Sequence, residues 1–173
     1  MIVVVAGVSG SGKTTVGSLL ADRLDWPFTD ADALHPAANI AKMHAGHPLS
    51  DAERRPWLAT VGARMDAYTA SGQCAVLACS ALKHSYREQL LAGRPGARMV
   101  FLHATREVLE ARLRARHGHF FPAALLDSQL ADLQCPDPVE DVVVVEATTP
   151  PDQAVDVIVQ RLHLSPPREK MSP

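Results

Sequence analysis

The chain has no apolar run that approaches the length of a membrane span, which excludes a helical membrane-spanning protein. It has no basic excess either. Its 17 Lys and Arg against 19 Asp and Glu leave a net charge of −2, which argues against a dedicated nucleic-acid binder. Only three cysteines occur, Cys74, Cys79 and Cys135; the number is odd and the spacing is not that of metal ligands. They read as reduced thiols, and Met1 leads into the first apolar run without a signal-peptide pattern. Both features predict a cytoplasmic location. There is no internal repeat. A length of 173 residues, 47% of them hydrophobic, predicts one globular domain with a full core.

What is present starts at once. Ile2, Val3, Val4 and Val5 form a short β-branched run, the pattern of a strand buried on both faces. Gly7-Val8-Ser9-Gly10-Ser11-Gly12-Lys13-Thr14 follows and matches G-x-x-x-x-G-K-S/T, the P-loop. Its glycines let backbone N–H groups curl around a phosphate. Lys13 can reach the β- and γ-phosphates, and the Thr14 hydroxyl can ligate Mg²⁺. Residues Gly7 to Thr14, with Thr15 beside them, are therefore the predicted ATP cradle. A helix should follow, with Val16, Leu20 and Leu24 on its inner face and its positive end directed at the anion.

Further on, residues 27–29 predict a second strand that ends in Asp30-Ala31-Asp32. Acids at the C-terminal end of a parallel strand lie where ligands bind, so the pair is a candidate for Mg²⁺ or substrate contact. His35-Pro36 opens a short helical segment through Met43. Ser50-Asp51-Ala52-Glu53 fits a capping box and starts a helix to about Ala70. Arg54 and Arg55 stand in its first turn, against the helix dipole; an anionic partner and plain solvation are both open readings. Residues 75–79 predict a third strand, with Ser80 to Lys83 leaving its end and a helix carrying Tyr86 and Arg87 behind. Residues 99–103 predict the fourth strand, and Thr105 caps the next helix. That helix ends in Arg112, Arg114 and Arg116, before Gly118, His119, Phe120, Phe121 and Pro122. The cations either offset the helix dipole or belong to a lid over ATP, about residues 116–124. Leu126, Leu130 and Leu133 read as a core stripe, residues 142–145 as the fifth strand, and Val155 to Leu162 as the last helix. The domain should span 1–164, with 165–173 a frayed tail. Strands alternate with helices throughout, which predicts an α/β fold with a parallel sheet covered on both faces.

A P-loop identifies a nucleotide, not a reaction. A switch NTPase and a small-molecule kinase remain to be separated. No acid ends the third strand, where many switch proteins keep their Mg²⁺ aspartate; Cys79-Ser80 stands there. Acids after the second strand and arginines in a late lid favour a kinase. Its chemistry needs Lys13 and Mg²⁺ against the phosphoryl charge, a base for the acceptor hydroxyl, and a lid against water. Asp32 is the candidate base.

The sequence resembles the P-loop gluconate kinases, relatives of shikimate and adenylate kinases. GVSGSGKT, DADALHPAANIAKM, PLSDAERRPWL, CSALKHSYREQL, RLRARHGHFF and LLDSQLADL carry the resemblance, from Gly7 to Leu133. It implies a three-layer α/β/α P-loop fold with five parallel strands in the order 2-3-1-4-5 and a small lid. It also implies ATP- and Mg²⁺-dependent phosphorylation of D-gluconate at its 6-hydroxyl by a cytoplasmic homodimer. On that similarity Asp30 would hold Mg²⁺ through water and Asp32 would face the acceptor. Arg54, Lys83 and Arg87 would meet the substrate carboxylate, and His35 and Ser80 its hydroxyls. Arg112 would stack on adenine, Arg116 would reach the phosphates, and Thr148 to Pro151 would complete the adenine pocket. His119 is either a ligand contact or a packed lid residue. Leu133-Gln134 departs from the Leu-Glu expected of the family, which puts one local contact in question.

Overall fold

A computed structural model describes residues 1–115 and 123–165. Its elements run β1 Ile2–Ala6, α1 Lys13–Leu24, β2 Phe28–Asp30, a 3-10 turn Ala31–Leu34, α2 Ala37–His44, α3 Asp51–Ala70 and β3 Ala75–Ala78. Then come α4 His84–Leu91, β4 Ala97–His103, α5 Arg106–Ala115, α6 Ala123–Asp132, β5 Val142–Glu146 and α7 Pro151–Arg161. The five strands form one parallel sheet in the order β2-β3-β1-β4-β5, as the resemblance implies.

The β-branched run in β1 explains the layering. Successive side chains point to opposite faces. Ile2, Val4 and Ala6 pack with Trp57, Val61 and Met65 of α3 and Leu90 of α4. Val3 and Val5 pack with Leu20 and Leu24 of α1 and Val155 and Ile158 of α7. A strand buried on both faces must be central, and β1 is paired on both sides, Val5 opposite Ala78 and Val100. Parallel register then brings the C-terminal ends of β1, β2 and β3 to one edge. The P-loop leaves there, and its Gly7 amide donates to the Ser80 carbonyl beyond β3 (3.2 Å).

The capping box forms as predicted: the Glu53 amide donates to Ser50 Oγ (3.4 Å), and the Ser50 amide donates to Glu53 Oε2 (2.7 Å). The same glutamate docks α2. Lys42 Nζ donates to both Glu53 oxygens (2.8 and 2.9 Å), and Asn39 Nδ2 donates to the Glu53 carbonyl (3.0 Å). Asn39 and Lys42 stand three apart, on one helix face, so both reach it. The asparagine and lysine of the HPAANIAKM stretch thus fix one wall of the cleft.

Two boundaries differ from the sequence reading. β4 starts at Ala97 rather than Met99, because Ile2 pairs with Ala97. Cys79 lies just past β3, its amide still bonded to the Val5 carbonyl (3.0 Å). Of the expected lid, residues 123–124 are the first turn of α6, and 116–122 lie outside the described residues with Arg116 and His119. Residues 166–173 of the expected tail also lie outside them, whereas Leu164 is buried against the α1–α7 layer.

Candidate active site

A cleft of about 1100 Å³ runs along the C-terminal edge of the sheet, from the P-loop to the ends of α2 and α3. At one end, backbone conformation makes the cradle. Gly7 has φ 141°, and a Cβ there would lie 2.7 Å from the Leu102 carbonyl oxygen, so the loop leaves β1 only through glycine. Gly12, at φ 99°, precedes α1 without a side-chain cap, which leaves the first amides of the helix facing the cleft as an anion site. Lys13 Nζ donates to the Val8 carbonyl at 3.1 Å, along the inside of the loop. Ser9 to Thr15 line the cleft, whereas Gly7 and Val8 support it from below, Val8 being buried against Leu109 and Leu126. Thr14 Oγ1 donates to Asp30 Oδ2 (2.9 Å), so the two residues expected at the metal stand together. Both offer hard oxygen donors, which suit Mg²⁺.

Arg112 bridges the cradle to the last strand. Its guanidinium donates to the Ser11 carbonyl (3.1 Å) and to the Ala147 carbonyl (2.5 Å). Thr149 and Pro151 line the cleft beside it, within the stretch expected at adenine. At the opposite end lie Asp32, His35, Arg54 and Ser80. The Asp32 amide donates to Asp30 Oδ1 (3.0 Å), closing the turn that presents the Asp32 carboxylate. His35 stacks on Trp57 at 4.1 Å between centroids and 12° between planes. Trp57 is itself pinned by its Nε1 donating to the Ala31 carbonyl (2.7 Å). The His35 Nδ1 atom is buried without a hydrogen-bond partner among the described residues. Burial holds its imidazole below the ordinary value; Asp32 opposes this and Arg54 adds to it. The ring is therefore neutral at pH 7, able to donate from one nitrogen and accept at the other.

A family model described as an AAA domain matches residues 2–136. The gluconokinase of Gluconobacter oxydans is 47% identical over 157 residues, 91% of this chain and 88% of that protein. The crystal structure of a gluconokinase from Sinorhizobium meliloti superposes with a TM-score of 0.80 at 41% identity, over 93% of this chain and 94% of that one. The chain belongs to the gluconokinase family. An unliganded sugar kinase from Janibacter superposes with a TM-score of 0.89 at 42% identity, covering 95% of each chain.

Membership in the gluconokinase family does not place every expected residue in the cleft. Arg87 is 1% exposed, and all three nitrogens of its guanidinium donate to groups inside the protein. Nε and Nη2 donate to Glu140 Oε2 and Oε1 (2.7 and 2.8 Å). Nη1 donates to the carbonyls of Gln134 (2.9 Å), Leu82 (3.0 Å) and, more weakly, Ala81 (3.4 Å). The expectation that Arg87 meets the substrate is corrected: it is a structural pillar. It holds the turn after β3, in which Ala81 adopts φ 39°, a conformation that costs a non-glycine residue energy. Lys83 does not itself line the cleft but stands beside Arg54, which does, and shares its carboxylates, with Nζ on Asp51 Oδ1 (2.7 Å) and Asp132 Oδ1 (3.2 Å). Arg54 takes the first of its two open readings, with Asp132 Oδ2 at 2.6 Å.

Four residues escaped the sequence reading. Gln129 of α6 accepts from the Ser9 amide (2.8 Å) and donates to Ser9 Oγ (3.0 Å), clamping the P-loop. Asp51, Tyr86 and Asp132 surround the two acceptor-side cations. Tyr86 donates to Asp51 Oδ1 (2.6 Å), and burial, then that bond, keeps the phenol protonated above its ordinary range. The departure at Gln134 is resolved: its Oε1 accepts from the His84 amide at the start of α4 (2.7 Å), so an amide oxygen supplies the acceptor there. Cys79 is fully buried, and burial followed by Asp32 pushes its thiol up to about 12, which makes it inert.

Proposed function

We propose that the protein transfers the γ-phosphoryl group of ATP to the 6-hydroxyl of D-gluconate, giving 6-phospho-D-gluconate. The observation that carries the reading is one cleft that joins a P-loop to an acceptor end holding Asp32, His35, Ser80 and Arg54. A sugar acid needs that mixture: a guanidinium for its carboxylate and neutral or anionic acceptors for its hydroxyls.

Each residue has a physical task. Lys13 and the amides of the cradle neutralise charge on the transferring group. Thr14 and Asp30 would hold Mg²⁺, which supplies further neutralisation of the phosphates when bound with ATP. Asp32 accepts the proton of the attacking hydroxyl and orients its lone pair. His35, fixed on Trp57, holds neighbouring hydroxyls through a neutral ring. Arg54 takes the carboxylate, with Lys83 beside it. Arg112 closes over the adenine side, and the resemblance assigns Arg116 to the phosphates, with His119 either a ligand contact or a packed lid residue. We read the protein as a cytoplasmic homodimer without nucleic-acid or membrane partners. Among the described residues no helix is long and apolar enough to cross a membrane. Light scattering of the purified protein checks the dimer.

A coupled ADP-release assay with Mg-ATP and separate acceptors tests the reaction. D-Gluconate alone should support release, with 6-phosphogluconate as product. Shikimate, AMP and acceptor-free controls should remain at background. Release that ignores the acceptor would replace the kinase by an ATPase. Asp32→Asn should lower kcat by about 10²–10⁴-fold, the usual share of general-base catalysis, with little change in ATP affinity. Unchanged turnover would remove Asp32 as the base.

A further inference from the structure

Arg54 and Lys83 already hold carboxylates of the chain itself. Arg54 Nη1 meets Asp132 Oδ2 at 2.6 Å, and Lys83 Nζ lies 3.2 Å from Asp132 Oδ1. Two oxygens of one carboxylate thus face two different cations, which is how a sugar acid's carboxylate would be held at the same place. Asp51 supplies a second carboxylate, 2.7 Å from Lys83 and 3.9 Å from Arg54. Two cations and two anions make the cluster neutral.

That neutrality has a consequence for an anionic acceptor. A carboxylate added beside Asp132 would leave one charge uncompensated in a partly buried site, which is costly. A carboxylate that takes the place of Asp132 keeps the cluster neutral. Asp132 is free to leave, since it is the last residue of α6 and 24% of its side chain is exposed. An acid in the last turn opposes the helix dipole, so helix stability does not hold it there.

We propose that Asp132 is a built-in stand-in for the acceptor's carboxylate: it holds Arg54 and Lys83 until the substrate carboxylate replaces it, and thereby sets affinity for an anionic acceptor. The proposal rests on the gluconate reading. Its quantitative form is a population tax: where Asp132 holds the cations in nine molecules of ten, apparent affinity falls about tenfold. Neutral polyols gain nothing from the exchange.

The test compares KM for D-gluconate in wild type, Asp132→Asn, Asp132→Ser and Asp132→Glu. D-Glucitol, which has the same hydroxyl chain without the carboxylate, serves as competitor. Asn and Ser should lower KM by about tenfold, Glu should stay near wild type, and inhibition by glucitol should not strengthen. An unchanged or raised KM in both Asn and Ser overturns the proposal. So does a structure of the wild-type protein with bound gluconate in which Arg54 still holds Asp132, a result that needs no folded variant. Wild-type turnover of gluconate tests the functional reading separately. Should another anionic acceptor be used, the same KM ratios are read with it; should no anionic acceptor be used, both ideas fall.

Discussion

Lys13→Ala is expected to lower kcat by about 10²–10³-fold, the loss typical of removing one preorganised donor from a developing anion. The lysine emerges from the first turn of α1 and lies along the inside of the P-loop, within 3.1 Å of the Val8 carbonyl. It can follow the γ-phosphoryl group as charge shifts during transfer, which a fixed amide cannot. ATP affinity should fall as well, because the ammonium also meets the ground-state phosphates. Single-turnover kinetics with saturating ATP separate the two effects. A variant that kept wild-type turnover would show that the cradle amides suffice and that Lys13 only binds.

Arg87→Ala is expected to cost about 3–5 kcal/mol of folding stability, read from urea denaturation. The change strands Glu140, 11% exposed, and removes the donor from the Gln134 and Leu82 carbonyls. Replacing both partners, as Arg87→Met with Glu140→Leu, should recover part of the loss, since no charge is then left unpaired. A loss under about 1 kcal/mol for Arg87→Ala would mean that water or a neighbour takes over the pairing. The same pair predicts an acid limb. Arg87, against the opposing effect of burial, holds the Glu140 carboxyl down at about 2, below its ordinary 4.5. A group depressed on folding contributes stability that is full above its unfolded value. That contribution is lost as pH falls from about 4.5 toward 2. Arg87→Ala should flatten that part of the stability profile, a comparison made by denaturation at several pH values.

The sequence made the frame of this molecule legible because its signals are local. Four β-branched or apolar residues in a row required a strand covered on both faces, and β1 is central. The capping box at Ser50 depends on three neighbouring positions and forms as read. The same locality explains the failure at Arg87. The resemblance assigned Lys83 and Arg87, with Arg54, to one substrate carboxylate. In the structure Arg87 is captured by Glu140, 53 positions away. Gln129 was invisible for a related reason. It lies between Leu126 and Leu130 in a stripe that packs against the core, while its partner Ser9 is 120 positions distant. Long-range polar pairing leaves no periodic trace in a sequence. The geometry of the candidate site was readable where a motif lies in consecutive residues: the P-loop leads into α1 at Gly12, and Asp30 meets Thr14.

The buried guanidinium of Arg87 bears on how this protein can change over generations. It ties the turn after β3, which follows Ser80 at the cleft, to the segment around Gln134 and Glu140. Substitutions in that turn are filtered by whether the chain folds before any new chemistry can be selected. Ile40 and Met43 on α2 and Ser128 on α6 also line the cleft, on helices held through other residues, Asn39 and Lys42 on Glu53 and Gln129 on Ser9. Adaptation to a longer, shorter or epimeric sugar acid is therefore channelled to α2 and α6. A mutational library aimed at new acceptors will find its survivors there, with the β3 turn preserved as an inherited constraint.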